Sequence, residues 1–351
     1  MGSTDYPHLI YAKGTGKIWK KGVDMNEHYL DSEAIVRSLR IAFSQHTDFN
    51  DSIRRIKGMI TNLPLESVHI VYDRGRVYFY EQGKTKRVYL RKNSERLYLL
   101  ARKRYLKELL KMMVMRDTYQ CDSEIWDQQF DRLASLIRDF AKGNLELARI
   151  VLTPKQYEWF TRSYKQKQYI PEPGTKPLAT DHQIIIRSKS EQNIGNALER
   201  FAAAYHYEEQ LQINVQRIVE ELEKDLIKTN QLNGPLFYYR GKTCYWNVPD
   251  ELQFLNAQGS MWHTYNYRTG CVLIHPDFKI MLSNGDILFW EHEGLIIKFI
   301  YRVNSMERIA IMRICGGIDA RHIIETTEAE SSDKRALEEI IKREIIPRMW
   351  F

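Results

Sequence analysis

Hydrophobic and polar positions follow two rhythms along this chain, and the points where one gives way to the other mark its elements. From Glu33 to Met59 apolar residues recur at helical spacing, with Ile35, Val36, Leu39, Ile41 and Ala42 available for a core. The period then shortens to two. Val68-His69-Ile70-Val71-Tyr72, the turn Asp73-Arg74-Gly75-Arg76 and Val77-Tyr78-Phe79-Tyr80 predict a β-hairpin. A second turn near Gly83 leads to Val88-Tyr89-Leu90, which extends the hairpin to a three-stranded meander. Helical spacing returns in Leu97, Leu100, Leu106, Leu109, Leu110 and Met113. It returns again between Ser123 and Lys142, where Ile125, Phe130, Leu133, Leu136, Ile137 and Phe140 share a face.

Between Tyr169 and Asp181 the residues Pro171, Pro173, Gly174 and Pro177 interrupt every period, which predicts a linker. Beyond it the chain alternates between helix and strand. The run Asn193 to Tyr205 is amphipathic, and Glu208 to Ile213 is expected to be the first strand. Val215 to Lys228 is expected to be a helix and Leu236 to Arg240 a strand. Val303 to Ile314 predicts a helix stopped by Gly316-Gly317, followed by a strand at His322 to Thr327 and a last helix at Ser332 to Arg343. Such alternation indicates an α/β core around a mixed sheet.

Two strand-like runs carry the chemistry. Ile274-His275-Pro276-Asp277-Phe278 places an acid at the end of one. Phe289-Trp290-Glu291-His292-Glu293-Gly294 places another in the next. The intervening Ser283-Asn284-Gly285-Asp286 is a hairpin signal that brings the two acids onto neighbouring strands at one edge of a sheet. Paired carboxylates are costly unless a cation neutralises them, and a hard divalent ion such as Mg²⁺ suits carboxylate oxygens. Upstream, Arg187-Ser188-Lys189-Ser190-Glu191 leads into the amphipathic run. Ser188 or Ser190 can cap that helix, and Glu191 falls in its first turn. Taken singly, each of these residues has an ordinary structural explanation: a strand-end Asp, a helix-start Glu, a hydrogen-bonded His.

Together, the Arg-Ser-Lys-Ser-Glu, Pro-Asp-Phe and Trp-Glu-His-x-Gly segments occur in an order that resembles the PD-(D/E)XK nuclease superfamily. The closer likeness is to a bacterial group carrying these three motifs. The resemblance covers residues from about Gln156 to the C-terminus. It implies a restriction-endonuclease-like core at 182–351, with an insertion at 214–270, a linker at 156–181 and a mainly helical N-terminal domain at 1–155 that carries the meander. It implies metal-dependent hydrolysis of phosphodiester bonds, with DNA as the expected polymer and Mg²⁺ or Mn²⁺ as cofactor. Asp277 and Glu291 would be metal ligands, Glu191 would bind beside them directly or through water, and the carbonyl of His292 would add a donor. The superfamily places a lysine two residues after the second acid, whereas this chain has Glu293 there. Lys189 or Lys298 could stand in for it, or His292 could contribute. Otherwise the fold persists as a nucleic-acid-binding protein without cleavage. A structural or interaction protein is a third class.

Composition adds a basic half. The 351 residues carry a formal charge of +7, which suits a polyanionic partner. Lys84, Lys86, Arg87, Arg91, Lys92, Arg102, Lys103, Arg104 and Lys107 fall in one short stretch interleaved with Tyr89, Tyr98 and Tyr105. With Arg187 and Lys189 they are the candidate nucleic-acid contacts. Tyr245, Trp246, Trp262, Tyr265 and Tyr267 make the insertion aromatic. Lys13-Gly14-Thr15-Gly16-Lys17 lacks the spacing of a phosphate loop and is expected to be a flexible basic loop. Cys121, Cys244, Cys271 and Cys315 form no zinc spacing, and a reducing cytoplasm is the expected setting. No apolar run is long enough for a bilayer, and no membrane is expected as a partner. Double-strand cutting would favour a homodimer with two sites.

Overall fold

A computed structural model describes residues 30–46, 48–83, 86–118, 123–166, 177–217, 220, 237–239, 242–244, 266, 268–294 and 299–350. Lys84, Lys298, the 13–17 loop, most of the 156–181 linker's proline-rich stretch and most of the 214–270 insertion, including its aromatic residues, lie outside the described residues.

The N-terminal half is helical around a meander. Helix α1 (Ser32–Gln45) begins where Asp31 Oδ1 accepts the amide of Ala34 at 2.7 Å, satisfying a donor that the helix cannot. The periodicity read over Glu33 to Met59 belongs to two helices, α1 and α2 (Asn50–Thr61), broken between Gln45 and Asn50. Strands β1 (Ser67–Asp73), β2 (Arg76–Gln82) and β3 (Arg87–Leu90) form the antiparallel meander. Its first turn places Arg74 and Gly75 at positive φ, as a two-residue hairpin turn requires. Helix α3 (Glu95–Thr118) packs against α2, β1, α4 (Ser123–Lys142) and α5 (Leu147–Val151). It is therefore enclosed on several sides. Helix α6 (Pro154–Thr161) follows, opened by a capping box between Thr153 and Gln156.

The C-terminal half is built on a mixed four-stranded sheet flanked by helices. A short ladder of β4 (Leu178–Ala179) and β5 (Ile185–Ile186) leads into helix α7 (Lys189–Arg200), which starts earlier and ends sooner than its apolar pattern suggests. Strand β6 (Tyr205–Tyr207) is the sheet's first strand. The chain bends at Glu208, whose φ is +48°, and β7 (Leu211–Asn214) leaves to pair with β10 (Cys271–Ile274). The strand expected over Glu208 to Ile213 is strand only from Leu211, as β7, because the bend occupies its start and β6 precedes it. Short strands β8 (Phe237–Tyr239) and β9 (Lys242–Cys244) pair with each other.

Strands β11 (Phe278–Met281) and β12 (Ile287–Glu293) form the predicted hairpin, with Gly285 at φ +92° in its turn. They are interior rather than edge strands: the order is β13-β12-β11-β6. Helix α8 (Phe299–Ala310) and a π-helical turn (Ile311–Cys315) come between β12 and β13 (Ile323–Thr327), and β13 runs parallel to β12. Helices α9 (Glu328–Ser332), α10 (Lys334–Ile340) and, after a second π turn (Ile341–Ile345), α11 (Ile346–Met349) complete the chain.

Because side chains alternate across a sheet, its two faces have separate cores. On one face Tyr205, Tyr207, Phe278, Ile280, Leu288 and Trp290 join the main core, which is continuous with the N-terminal helices. On the other, Phe289 packs with Ile213, Val215, Val272, Ile274, Ile311 and Met312 in a smaller one.

Candidate functional site

Strand register assembles the acids. Phe278 faces Tyr207 on one side and Trp290 on the other. Extending both ladders by one residue sets Asp277 between Glu208 and Glu291, and Glu291 is paired in parallel with Glu325. Four carboxylates thus form a row across four strands, on the face of the smaller core. Asp277 lies just before β11, in the bend after β10, rather than at the end of a strand as expected. The amide of Glu208 donates to the Asp277 carbonyl at 3.0 Å, and the amide of His292 to Asp277 Oδ2 at 2.7 Å. Glu208, Asp277 and Glu291 are at most 2% exposed, whereas Glu325 is exposed. Glu293 and Glu325 line an open cleft with Met306, Arg313, Ile318 and Asp319.

Three buried like charges in a row need compensation, and two arginines provide it. Arg187 Nη2 lies 2.5 Å from Glu208 Oε1, 3.4 Å from Glu191 Oε1 and 3.7 Å from Asp277 Oδ1. It reaches the row from the start of α7, past the edge strand β6. Arg308 Nη2, from the last turn of α8, lies 2.6 Å from Glu291 Oε2. Burial opposes the charge of each guanidinium, but the surrounding carboxylates outweigh it and hold both pKa values above the ordinary one. Burial pushes the Glu291 carboxyl up to about 8, with Asp277 and Glu325 adding to the shift and Arg308 opposing it. Neither oxygen of Glu291 has a hydrogen-bond donor in good geometry, and the Nε atoms of Arg187 and Arg308 also lack acceptors. Such unsatisfied buried groups are costly and characteristic of functional sites.

The other expected residues divide. Glu191 is the N3 residue of a reciprocal capping box with Ser188, so Ser188 rather than Ser190 is the cap. Glu191 Oε2 also accepts the hydroxyl of Tyr207 at 2.7 Å. Its oxygens are thereby committed, and it meets Asp277 only through Arg187. Lys189 is exposed, and its ammonium bonds Gln192 Oε1 at 2.8 Å, away from the acids. The His292 ring lies across the strand from Glu291, as alternation demands, with Nε2 3.3 Å from Glu328 and Nδ1 3.4 Å from Thr326. The contribution of His292 to the acid row is its main-chain amide. Two acids of the row, Glu208 and Glu325, and the counter-charge Arg308 were missed by sequence reasoning. The acids looked like ordinary strand residues, and Arg308 lies in no motif.

The basic stretch is reduced by burial. Arg102 is 7% exposed and donates to the carbonyls of Ile150 and Leu152. Lys103, equally buried, donates to the carbonyls of Leu65 and Glu66. Arg104 donates to the Val68 carbonyl at 3.2 Å. These three are structural clamps, because the enclosed α3 has little free face on which to present them. Lys86, Arg87, Arg91, Lys92 and Lys107 remain exposed. Lys86, Arg87, Arg91 and Lys92 lie in or beside β3, where the rings of Tyr80 and Tyr89 meet edge to face, and Lys107 is on α3.

Among the described residues, no group of three or more His, Cys, Asp and Glu side chains is arranged to hold a metal ion. The donor chemistry of the row nevertheless suits a hard cation: Asp277 and Glu291 are adjacent carboxylates, and Glu291 has buried oxygens without hydrogen bonds. Cys271 and Cys315 are free thiols. Among the described residues, no helix is long and apolar enough to cross a membrane. No family model, no curated protein and no solved structure matches this chain.

Proposed function

We propose that this chain is a divalent-metal-dependent nuclease with a restriction-endonuclease-like core. The observation that carries this reading is the convergence of the three motif segments on one end of the mixed sheet, where Asp277 and Glu291 stand side by side in a buried row. The element order supports it: helix α7, three strands β6, β11 and β12, helix α8, then a parallel fourth strand β13. Asp277 and Glu291 would hold Mg²⁺ or Mn²⁺, with the His292 carbonyl as an additional donor. When bound, such an ion supplies Lewis-acid activation of a phosphoryl oxygen and of a water. The chain's own residues do the rest. The His292 amide fixes the Asp277 carboxylate, Arg187 bridges Glu208 and Asp277, and Tyr207 with Ser188 locks Glu191 so that Arg187 is held in place. The substrate is a nucleic acid, expected to be DNA, approached by the exposed cations of the meander. There, Tyr80 and Tyr89 offer rings on which unpaired bases can stack.

A second reading has its own support. Arginines already pair with the acids, as they would in a fold that binds nucleic acid without cutting it. One experiment separates the two: labelled single- and double-stranded DNA and RNA incubated with the chain and Mg²⁺, Mn²⁺ or EDTA, beside Asp277→Ala and Glu291→Ala. The nuclease reading expects metal-dependent cleavage that falls by on the order of 100-fold or more in each variant. Binding without cleavage under every metal condition would favour the second reading.

A further inference from the structure

Among the described residues no lysine meets the row of acids, yet a cation does so from an unexpected place. Glu293 occupies the strand position two residues beyond Glu291 and accepts the Ser305 hydroxyl at 3.2 Å. Lys189 points to solvent. Among the described residues, the cation paired with Glu291 is Arg308, and it comes from the helix that follows the strand. Its position is determined by the fold. Helix α8 meets β12 through Ser305, whose hydroxyl bonds Glu293, and through Arg308, which pairs with Glu291, while Ile309 is buried. Its side chain is 18% exposed, its Nη2 is 2.6 Å from Glu291 Oε2, and its Nε has no acceptor.

We propose that Arg308 is the basic residue of this site: it supplies the positive charge beside Glu291 that the strand does not carry, and it shares that carboxylate with the divalent cation. This rests on the nuclease reading for its consequence in cleavage, but not for its consequence in metal binding. Arg308 is a positioning residue for Glu291. Three physical points support the assignment. A guanidinium stays charged in a buried setting where an ammonium readily loses its proton. Arg308 makes its closest approach to Glu291 at Oε2, and Oε1 is buried without a hydrogen-bond partner, so it is open to an ion. The guanidinium also keeps an N–H, that of Nε, without an acceptor, and an anionic oxygen arriving at the row would provide one.

The test uses the full chain as wild type, Arg308→Gln and Arg308→Lys, with Mn²⁺ alone as the calorimetric probe and the labelled nucleic acids for cleavage. Removing a positive charge from beside a ligand carboxylate should tighten Mn²⁺ binding about ten-fold in Arg308→Gln. Retaining the charge should leave Arg308→Lys within about three-fold of wild type. At saturating Mn²⁺, Arg308→Gln should cleave on the order of 100-fold more slowly, and Arg308→Lys should recover most of that loss. Equal Mn²⁺ affinity in wild type and Arg308→Gln would overturn the proposal, as would unimpaired cleavage by Arg308→Gln. If the wild type cleaves no nucleic acid, the nuclease reading falls, and the Mn²⁺ comparison alone decides the role of Arg308. If Arg308→Gln melts before it can be titrated, Arg308→Lys decides: wild-type Mn²⁺ affinity upholds the role, and a folded variant with altered affinity rejects it.

Discussion

At the residue scale the acid row depends on one guanidinium nitrogen. Arg187 Nη2 lies against Glu208, Glu191 and Asp277, all buried, and Glu208 takes a backbone conformation with φ +48° that a non-glycine residue adopts only under constraint. Breaking a buried ion pair by removing one partner typically costs about 3 kcal/mol or more, because the remaining charge is uncompensated. Arg187→Ala should therefore lower stability by about that amount in urea unfolding, and adding Glu208→Gln should restore part of it. If the double variant were no more stable than Arg187→Ala, Glu208 would not be the charge that Arg187 balances. These residues also show how much of the site was legible in the sequence. Asp277 and Glu291 were, because a hairpin signal and strand alternation set both on one face. Arg187 was read as a nucleic-acid contact, whereas it is an internal counter-charge. Glu208 and Arg308 were not legible, because their roles arise from register between distant strands and from the docking of a helix. Neither leaves a local pattern.

At the element scale, α6 is fastened to the sheet through His206. The imidazole lies between the rings of Trp159, 3.8 Å away and nearly parallel, and Tyr164, 4.1 Å away. Its Nδ1 is 2.8 Å from Glu209 Oε2, and Glu209 also pairs with Lys279 at 3.6 Å and Arg162 at 2.6 Å. Burial lowers the His206 pKa below the ordinary 6.5, against the opposing pull of Glu209. Burial would raise the Glu209 carboxyl, but His206, Lys279 and Arg162 hold it below its ordinary value. Both shifts have the same consequence. Below pH 6.5 the unfolded chain binds a proton at His206 that the folded chain refuses, so stability falls with pH. Below the ordinary carboxylate range the loss continues as Glu209 is protonated. The melting temperature should decline from neutrality to about pH 5, and His206→Phe should flatten that decline while keeping the ring stack. A pH profile unchanged by His206→Phe would place the acid sensitivity elsewhere. The cluster shows why helix α6 was not separable from the C-terminal half by sequence. Thr153 and Gln156 form a local capping box, but the Gln156 amide also reaches the carbonyls of Met281 and Met349.

At the scale of the whole molecule, proline and glycine punctuation suggested two domains, yet packing crosses the boundary. One hydrophobic core runs from Leu30 in the N-terminal half to Trp350 at the other end of the described chain. Helix α11 packs on α1, and the Trp350 indole donates to the Ser38 hydroxyl at 2.9 Å, both groups being buried. Arg55 of α2 reaches the hydroxyl of Ser283 in the hairpin turn. The sequence pattern reports each element's own apolar face but not which distant face covers it, so the final helix carried no sign that its partner is the first. A shared core has a thermodynamic consequence: the halves should lose structure together. Chemical unfolding monitored by tryptophan fluorescence and by circular dichroism should give coincident transitions, as a cooperative unit does. Trp350→Ala removes a large buried side chain and leaves Ser38 without its donor, a loss of about 3 kcal/mol. Because the cavity lies between the first and last helices, that variant should shift both probes equally. Two separated transitions in the wild type, or a Trp350→Ala shift confined to one of them, would mean that the halves fold independently and meet at an interface. In the shared-core case, helix α7, which follows the loop that carries Arg187, is held by a framework extending through both halves.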